Sequence, residues 1–105
     1  MIGKKKPTER ECWTALTDII TQILDDMGED PGDLTRETMI NADLGLSSIE
    51  AIHIAISLEN ALRISINFES LAVRDGEYVD DLAIGEIHDF VLSTIGLTAE
   101  SPQGA

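Results

Sequence analysis

Cysteine, aromatic rings and positive charge are what this chain has least of. Its single cysteine, Cys12, excludes an internal disulfide and with it the cross-linked scaffolds of small secreted domains. Nothing beside Cys12 marks an activated thiol, so a structural role is expected for it. Aromatic residues make up only 4% of the chain, which leaves a core to be built from Ile, Leu, Val and Ala. Lys and Arg number 7 against 20 Asp and Glu, for a formal net charge of -13. A surface of that sign is unsuited to nucleic acid, whose phosphates need a basic face. It suits protein partners with basic patches, because opposite fields speed encounter. No apolar run approaches the roughly 18 residues of a membrane span. Lys4-Lys5-Lys6 is not followed by an apolar segment, so no secretory signal is expected and a cytoplasmic setting fits.

Chemistry-bearing clusters are also scarce. The only histidines, His53 and His88, belong to no Ser-His-Asp set and no metal-ligand spacing, so no metal site is expected. His53 reads as a surface residue and His88 as a helix-face residue near the core. The pairs Asp25-Asp26 and Asp80-Asp81 fit no calcium loop and read as loop or cap chemistry. There is no glycine-rich phosphate loop. A catalytic role is not expected.

What is present is helical periodicity. Thr8-Glu9-Arg10-Glu11 matches a capping box, and a helix is expected from there to about Met27. Its apolar face would be Trp13, Leu16, Ile20, Ile23 and Met27, with Gly28 as the stop. Residues 29–46 form a long connection rich in turn residues, unusual in so short a chain and suggestive of function. Leu34, Met39, Ile40, Leu44 and Leu46 are positioned to pin it. A second helix is expected over 48–62. Ala51, Ile54, Ala55, Leu58 and Leu62 form one apolar stripe on it, and Ile49, Ile52 and Ile56 form another nearly opposite. Only one stripe can serve a core.

Asn67 can cap a short helix over 68–72, and Asp75-Gly76 can turn a hairpin. Asp80 or Asp81 is expected to cap the last helix, whose face is Ile84, Ile87, Val91 and Ile95 and whose stop is Gly96. Gly85 inside its first turn costs about 1 kcal/mol relative to Ala. The expected fold is all-α: a small antiparallel bundle of three main helices plus one short helix, with a long first loop. The expected organisation is a basic arm at 1–7, one domain at 8–97 and a tail at 98–105.

One stretch joins these elements to chemistry: Asp43-Leu44-Gly45-Leu46-Ser47-Ser48-Ile49-Glu50. It is a loop end, two serines and the start of an aliphatic helix. Taken alone it is ordinary helix-start chemistry, with Ser as cap and an acid in the first turn. A serine there also sits at the positive end of a helix dipole, a good place for a phosphate. The stretch resembles the prosthetic-group site of acyl carrier proteins, where Asp-Leu-Gly-x-Asp-Ser-Leu-(Asp/Glu) is usual. The resemblance covers roughly residues 8–97 and includes the long first loop, the helix after the serine and Ile64-x-Ile66 beyond it. Chain size and acidity agree.

The resemblance implies a carrier that holds acyl groups as thioesters for enzymes of fatty acid, lipid or polyketide biosynthesis. It implies Ser48 as the attachment point of 4'-phosphopantetheine, delivered from coenzyme A by a phosphopantetheinyl transferase. Ser48 precedes the aliphatic residue, and Ser47 stands where the family has aspartate. Serine can cap the helix but brings no charge, which is expected to slow modification or demand a matched transferase. Further partners implied are acyl synthetase, ketosynthase or acyltransferase enzymes with basic docking patches, meeting a monomeric carrier. Their docking face is expected at Ile49, Glu50, Ile52, His53, Ile56 and Glu59. An acyl-chain pocket is expected between the second and last helices, lined by Ile54, Leu58, Leu62, Phe68, Ile84 and Ile87. Two alternatives stay open: a carrier of aminoacyl or peptidyl groups, as in nonribosomal synthesis or D-alanine transfer, and an unmodified acidic interaction module.

Overall fold

The computed structural model describes residues 7–67, 71, 73–74, 77–78 and 81–96. They form a small all-α fold of three helices: α1 (Glu9–Asp26), α2 (Ser48–Leu62) and α3 (Ile84–Thr94). Between α2 and α3 lies a two-residue antiparallel ladder, β1 (Val73–Arg74) with β2 (Glu77–Tyr78), in the register Val73–Tyr78 and Arg74–Glu77. Two positions separate its strands, as expected of an Asp-Gly turn, but Asp75 and Gly76 lie outside the described residues. So do Phe68, most of the expected short helix at 68–72, Asp80, and the tail at 98–105.

α1 starts as its sequence requires. Thr8 is the N-cap: its Oγ1 accepts from the Glu11 N–H at 3.0 Å, and Glu11 Oε1 accepts from the Thr8 N–H at 2.8 Å. The buried face is Cys12, Leu16, Ile20, Ile23 and Leu24. Met27, expected on that face, is instead 47% exposed. It is the C-cap, and the chain turns back behind it so that the Glu29 N–H reaches Leu24 O at 2.8 Å. Leu24, one turn after Ile20, takes the last core position. α2 contributes Ile54, Ala55 and Leu58 to the same core, and α3 contributes Ile84, Ile87, Val91 and Leu92, with Ile95 just beyond its last turn. Cys12 is buried; burial raises its thiol pKa and the nearby Glu11 and Glu9 raise it further, so the thiol stays protonated and inert.

The long connection is a strap laid along the start of α3. Ile40 N–H donates to Leu82 O at 2.8 Å, Ile84 N–H to Thr38 O at 2.9 Å, and Gly85 N–H to Arg36 O at 3.0 Å. This pairing corrects the expected cap. Asp81 is not the N-cap of α3, which begins at Ile84 with Ala83 as N-cap. The helix's first N–H groups are taken by carbonyls of the strap, so no side-chain cap is needed. Glu86 Oε1 accepts from the Ala83 N–H at 2.9 Å.

His88, the one buried polar side chain among the described residues, ties three elements together. Its Nε2 donates to Glu9 O at 3.2 Å, and its Nδ1 accepts from Arg36 Nη1 at 3.3 Å. Trp13 meets it edge to face, with ring centroids 5.2 Å apart. Arg36 Nη2 also pairs with Asp89 at 2.7 Å.

Gly85 is explained by this joint. A Cβ there would lie 3.0 Å from Arg36 O, Cβ and Cζ. Arg36 O is held by the Gly85 N–H itself, so it cannot move away cheaply. Gly85→Ala is therefore expected to destabilise the protein by about 1–3 kcal/mol through overpacking, overriding alanine's helix preference of about 1 kcal/mol. Thermal unfolding checks this, and a melting point above that of the parent would contradict it.

Candidate functional site

The site is assembled where the strap turns into α2. Ile40 and Leu46 are buried and anchor both ends of the turn. Between them the backbone winds tightly: Asp43 and Leu44 N–H donate to Met39 O, Gly45 N–H to Asn41 O at 2.9 Å, and Leu46 N–H to Ile40 O at 3.0 Å. Asp43 Oδ2 accepts from the Met39 N–H at 2.7 Å, and Asn41 Nδ2 donates to Leu46 O at 3.0 Å. Gly45 has φ of 70°, a conformation that glycine adopts without steric cost. The Asp-Leu-Gly-Leu sequence thus has a local mechanical meaning: a carboxylate that closes the turn, a glycine that reverses it and a leucine that anchors it.

From across the molecule Asp81 clamps the same turn. Its carboxylate accepts from the N–H of Asn41 at 2.7 Å, Ala42 at 2.8 Å and Leu82 at 2.8 Å. Partial burial pushes its pKa up, but the three N–H donors outweigh this and hold the carboxyl below its ordinary value. The sign of the linkage follows: ionised Asp81 contributes stability that is full above about pH 4 and is lost as the pH falls through its lower folded value. Asp81→Asn should cost about 1.5–3 kcal/mol at neutral pH, the range for hydrogen bonds to a charged group. Denaturant unfolding would measure it. The gap to the parent should close on acidification, and a gap that stayed constant would show that the charge is not responsible.

α2 opens with two serines in different states. Ser47 is the N-cap, with φ -86° and ψ 179°. Its Oγ accepts from the Ile49 N–H at 3.2 Å and donates to Glu50 Oε1, which also accepts from the Ser47 N–H at 2.8 Å. The hydrogen bond from the Ser47 hydroxyl, then that from its backbone N–H, lowers the Glu50 pKa. Ser47 is thus committed to the cap. Ser48, the first residue of α2, is exposed, and its hydroxyl has no partner among the described residues. It sits at the N-terminus of α2, the positive end of the helix dipole. The arrangement fits a phosphate ester: a free nucleophilic oxygen, a positive field, and open space.

The two stripes of α2 separate in space. Ile54, Ala55 and Leu58 are buried, and Ala51 and Leu62 are half-buried. Opposite them Ile49 is 74% exposed, Ile52 43% and Ile56 51%. His53 is exposed beside them. Glu50 and Glu59 are half-buried and engaged within the chain: Glu50 closes the capping box, and Glu59 Oε2 accepts from the Ile66 N–H at 2.7 Å. That second contact was not legible in the sequence, since it depends on how the chain leaves α2. It leaves through Arg63, whose φ of 57° is left-handed, which brings Ile64 and Ile66 back over the last turn.

A small apolar cavity of about 10 Å³ lies between α2 and α3. Of the six residues expected to line an acyl pocket, Ile54, Leu58 and Ile87 do so. Leu62 and Ile84 do not. Ile84 is fully buried near the strap, and Leu62 is half-buried at the far end of α2. Phe68 lies outside the described residues. The wall is completed by Ala51 and Ala55 from α2, Phe90 and Val91 from α3, and Ile66, Leu71 and Leu82 from the connection between them. Phe90 and Val91 fall on the periodic face of the last helix and could have been found from spacing. The connection residues could not. The cavity has room for about one water-sized sphere, so an alkyl chain enters only if its walls part.

Among the described residues no helix is long and apolar enough to cross a membrane, and no group of three or more His, Cys, Asp or Glu is placed to hold a metal ion. No family model, curated protein or solved structure matches this chain.

Proposed function

We propose that this chain is an acyl carrier protein, an antiparallel bundle of three main helices and one short one that carries acyl groups on 4'-phosphopantetheine attached to Ser48. The observation that carries the reading is the division of labour between the two serines. Ser47 and Glu50 complete the helix cap, and the Ser48 hydroxyl is left exposed at the positive end of α2, without a partner among the described residues. The Asp43-Leu44-Gly45-Leu46 turn ahead of it, with the resemblance it carries to the attachment site of that family, names the group.

The prosthetic group would supply a terminal thiol for thioester formation on a long arm. This chain's own contributions are simpler. Ser48 Oγ would supply the oxygen of the phosphoester as the diphosphate bond of coenzyme A breaks; adenosine 3',5'-bisphosphate would leave, and the serine proton would pass to the transferase. The positive end of the α2 dipole would favour the phosphate, although Ser47 already takes the Ile49 and Glu50 N–H groups. Asp43, Asn41 and Asp81 hold the turn that aims the serine. The histidines are given no chemical role: His88 is a structural joint, and His53 is an exposed residue whose charge acts on Glu50. On this reading the chain is a cytoplasmic carrier that does no catalysis of its own and serves synthetase, ketosynthase or acyltransferase partners.

Intact mass after incubation with a broad-specificity phosphopantetheinyl transferase and coenzyme A tests the proposal. One pantetheine adduct per chain is the expected result. No adduct with any transferase would favour an unmodified interaction module, a reading supported by the exposed isoleucines of α2. An adduct loaded by amino acid-activating enzymes and refused by acyl-transferring ones would favour an aminoacyl carrier.

A further inference from the structure

Three of the four large hydrophobic side chains exposed among the described residues lie on α2, at Ile49, Ile52 and Ile56. They begin next to Ser48. Helical geometry stacks residues four apart, so Ser48, Ile52 and Ile56 form one line along the axis, with Ile49 beside it. Any protein that reaches Ser48 covers these side chains. Charge is scarce on this face despite the net charge of -13. The only carboxylates of α2 are Glu50 and Glu59, and both are already hydrogen-bonded within the chain, Glu50 to Ser47 and Glu59 to the Ile66 N–H. A partner's lysine or arginine would have to share them with the helix cap and with the turn that follows the helix.

Resting on the carrier reading, we propose that the partner surface this face fits is an apolar groove without a basic cluster, so that recognition next to Ser48 runs through Ile49, Ile52 and Ile56 and not through ion pairs. This reverses what overall acidity suggests for docking. The acids cluster on other parts of the chain, at Asp25 and Asp26 in the last turn of α1 and at Glu29, Asp30 and Asp33 after it. Self-association through the same stripe is opposed by that net charge, since two copies repel.

The probe is a broad-specificity phosphopantetheinyl transferase with coenzyme A, and the readout is the initial rate of adduct formation on full-length protein. The rate is expected to fall less than about twofold between roughly 0.05 and 0.5 M NaCl, a range that screens ionic contacts strongly. Ile52→Ser with Ile56→Ser is expected to slow it about tenfold, the equivalent of losing roughly 1.4 kcal/mol of contact, with an unchanged melting point. Glu59→Gln, which keeps an acceptor for Ile66, should stay within about twofold of the parent. A rate that collapses with salt and in Glu59→Gln, while the isoleucine variants react like the parent, would overturn the inference and leave the carrier reading standing. A dimer in sedimentation that the two Ile→Ser changes dissolve would overturn it too, by making a second copy the occupant. Absence of any adduct on the parent would overturn both.

Discussion

Ser48→Ala is expected to abolish the pantetheine adduct completely while leaving the fold intact. The hydroxyl is exposed and makes no hydrogen bond among the described residues, so the structure loses nothing when it is removed. Alanine is moreover a better helix former than serine. Ser47→Ala should behave in the opposite way. It removes the acceptor for the Ile49 N–H and the donor to Glu50, and should cost about 0.5–2 kcal/mol as a lost N-cap. It should still be modified, more slowly because the first turn frays. The pair is read by intact mass and by thermal unfolding of the same samples. An adduct retained in Ser48→Ala and lost in Ser47→Ala would move the attachment point by one residue and undo the assignment made here.

The second large effect concerns the two sides of α2. Ile54→Ala and Leu58→Ala should each cost about 2–5 kcal/mol, because both side chains are fully buried and border a core that is already closed. Against a total stability of about 5–15 kcal/mol, either change takes a large share. Ile52→Ala and Ile56→Ala should stay within about 0.5 kcal/mol, as surface substitutions do. Urea unfolding midpoints at constant slope would give the four values. The reverse ranking would mean that the helix is turned the other way, and the proposed docking surface would be lost with it.

How much of this was legible beforehand depended on the range of the interaction. The start of α1 was, because a capping box is made by residues three apart and nothing distant is needed. The bounds of α2 were, since two serines, an acid at the third position and fifteen residues without proline or glycine leave one local solution. The orientation of α2 was also readable, from the greater length of one apolar stripe, and the burial pattern agrees with it. The start of α3 was not. Asp81 has a cap's chemistry, yet its carboxylate is drawn to N–H groups at Asn41 and Ala42 some forty residues earlier, and the strap supplies the helix with carbonyls instead.

The same division holds for the site. Sequence alone determined which residues stand at the loop–helix junction, their order, and the periodic faces on either side, because helices, caps and tight turns are set by contacts within a few residues. Only the tertiary structure decided why Gly85 must be glycine, which residues wall the cavity, and that Glu59 is spent on the Ile66 backbone. Each of those outcomes depends on how separate elements come together around one core, and a contact between distant residues leaves no periodicity in the chain by which it could be read.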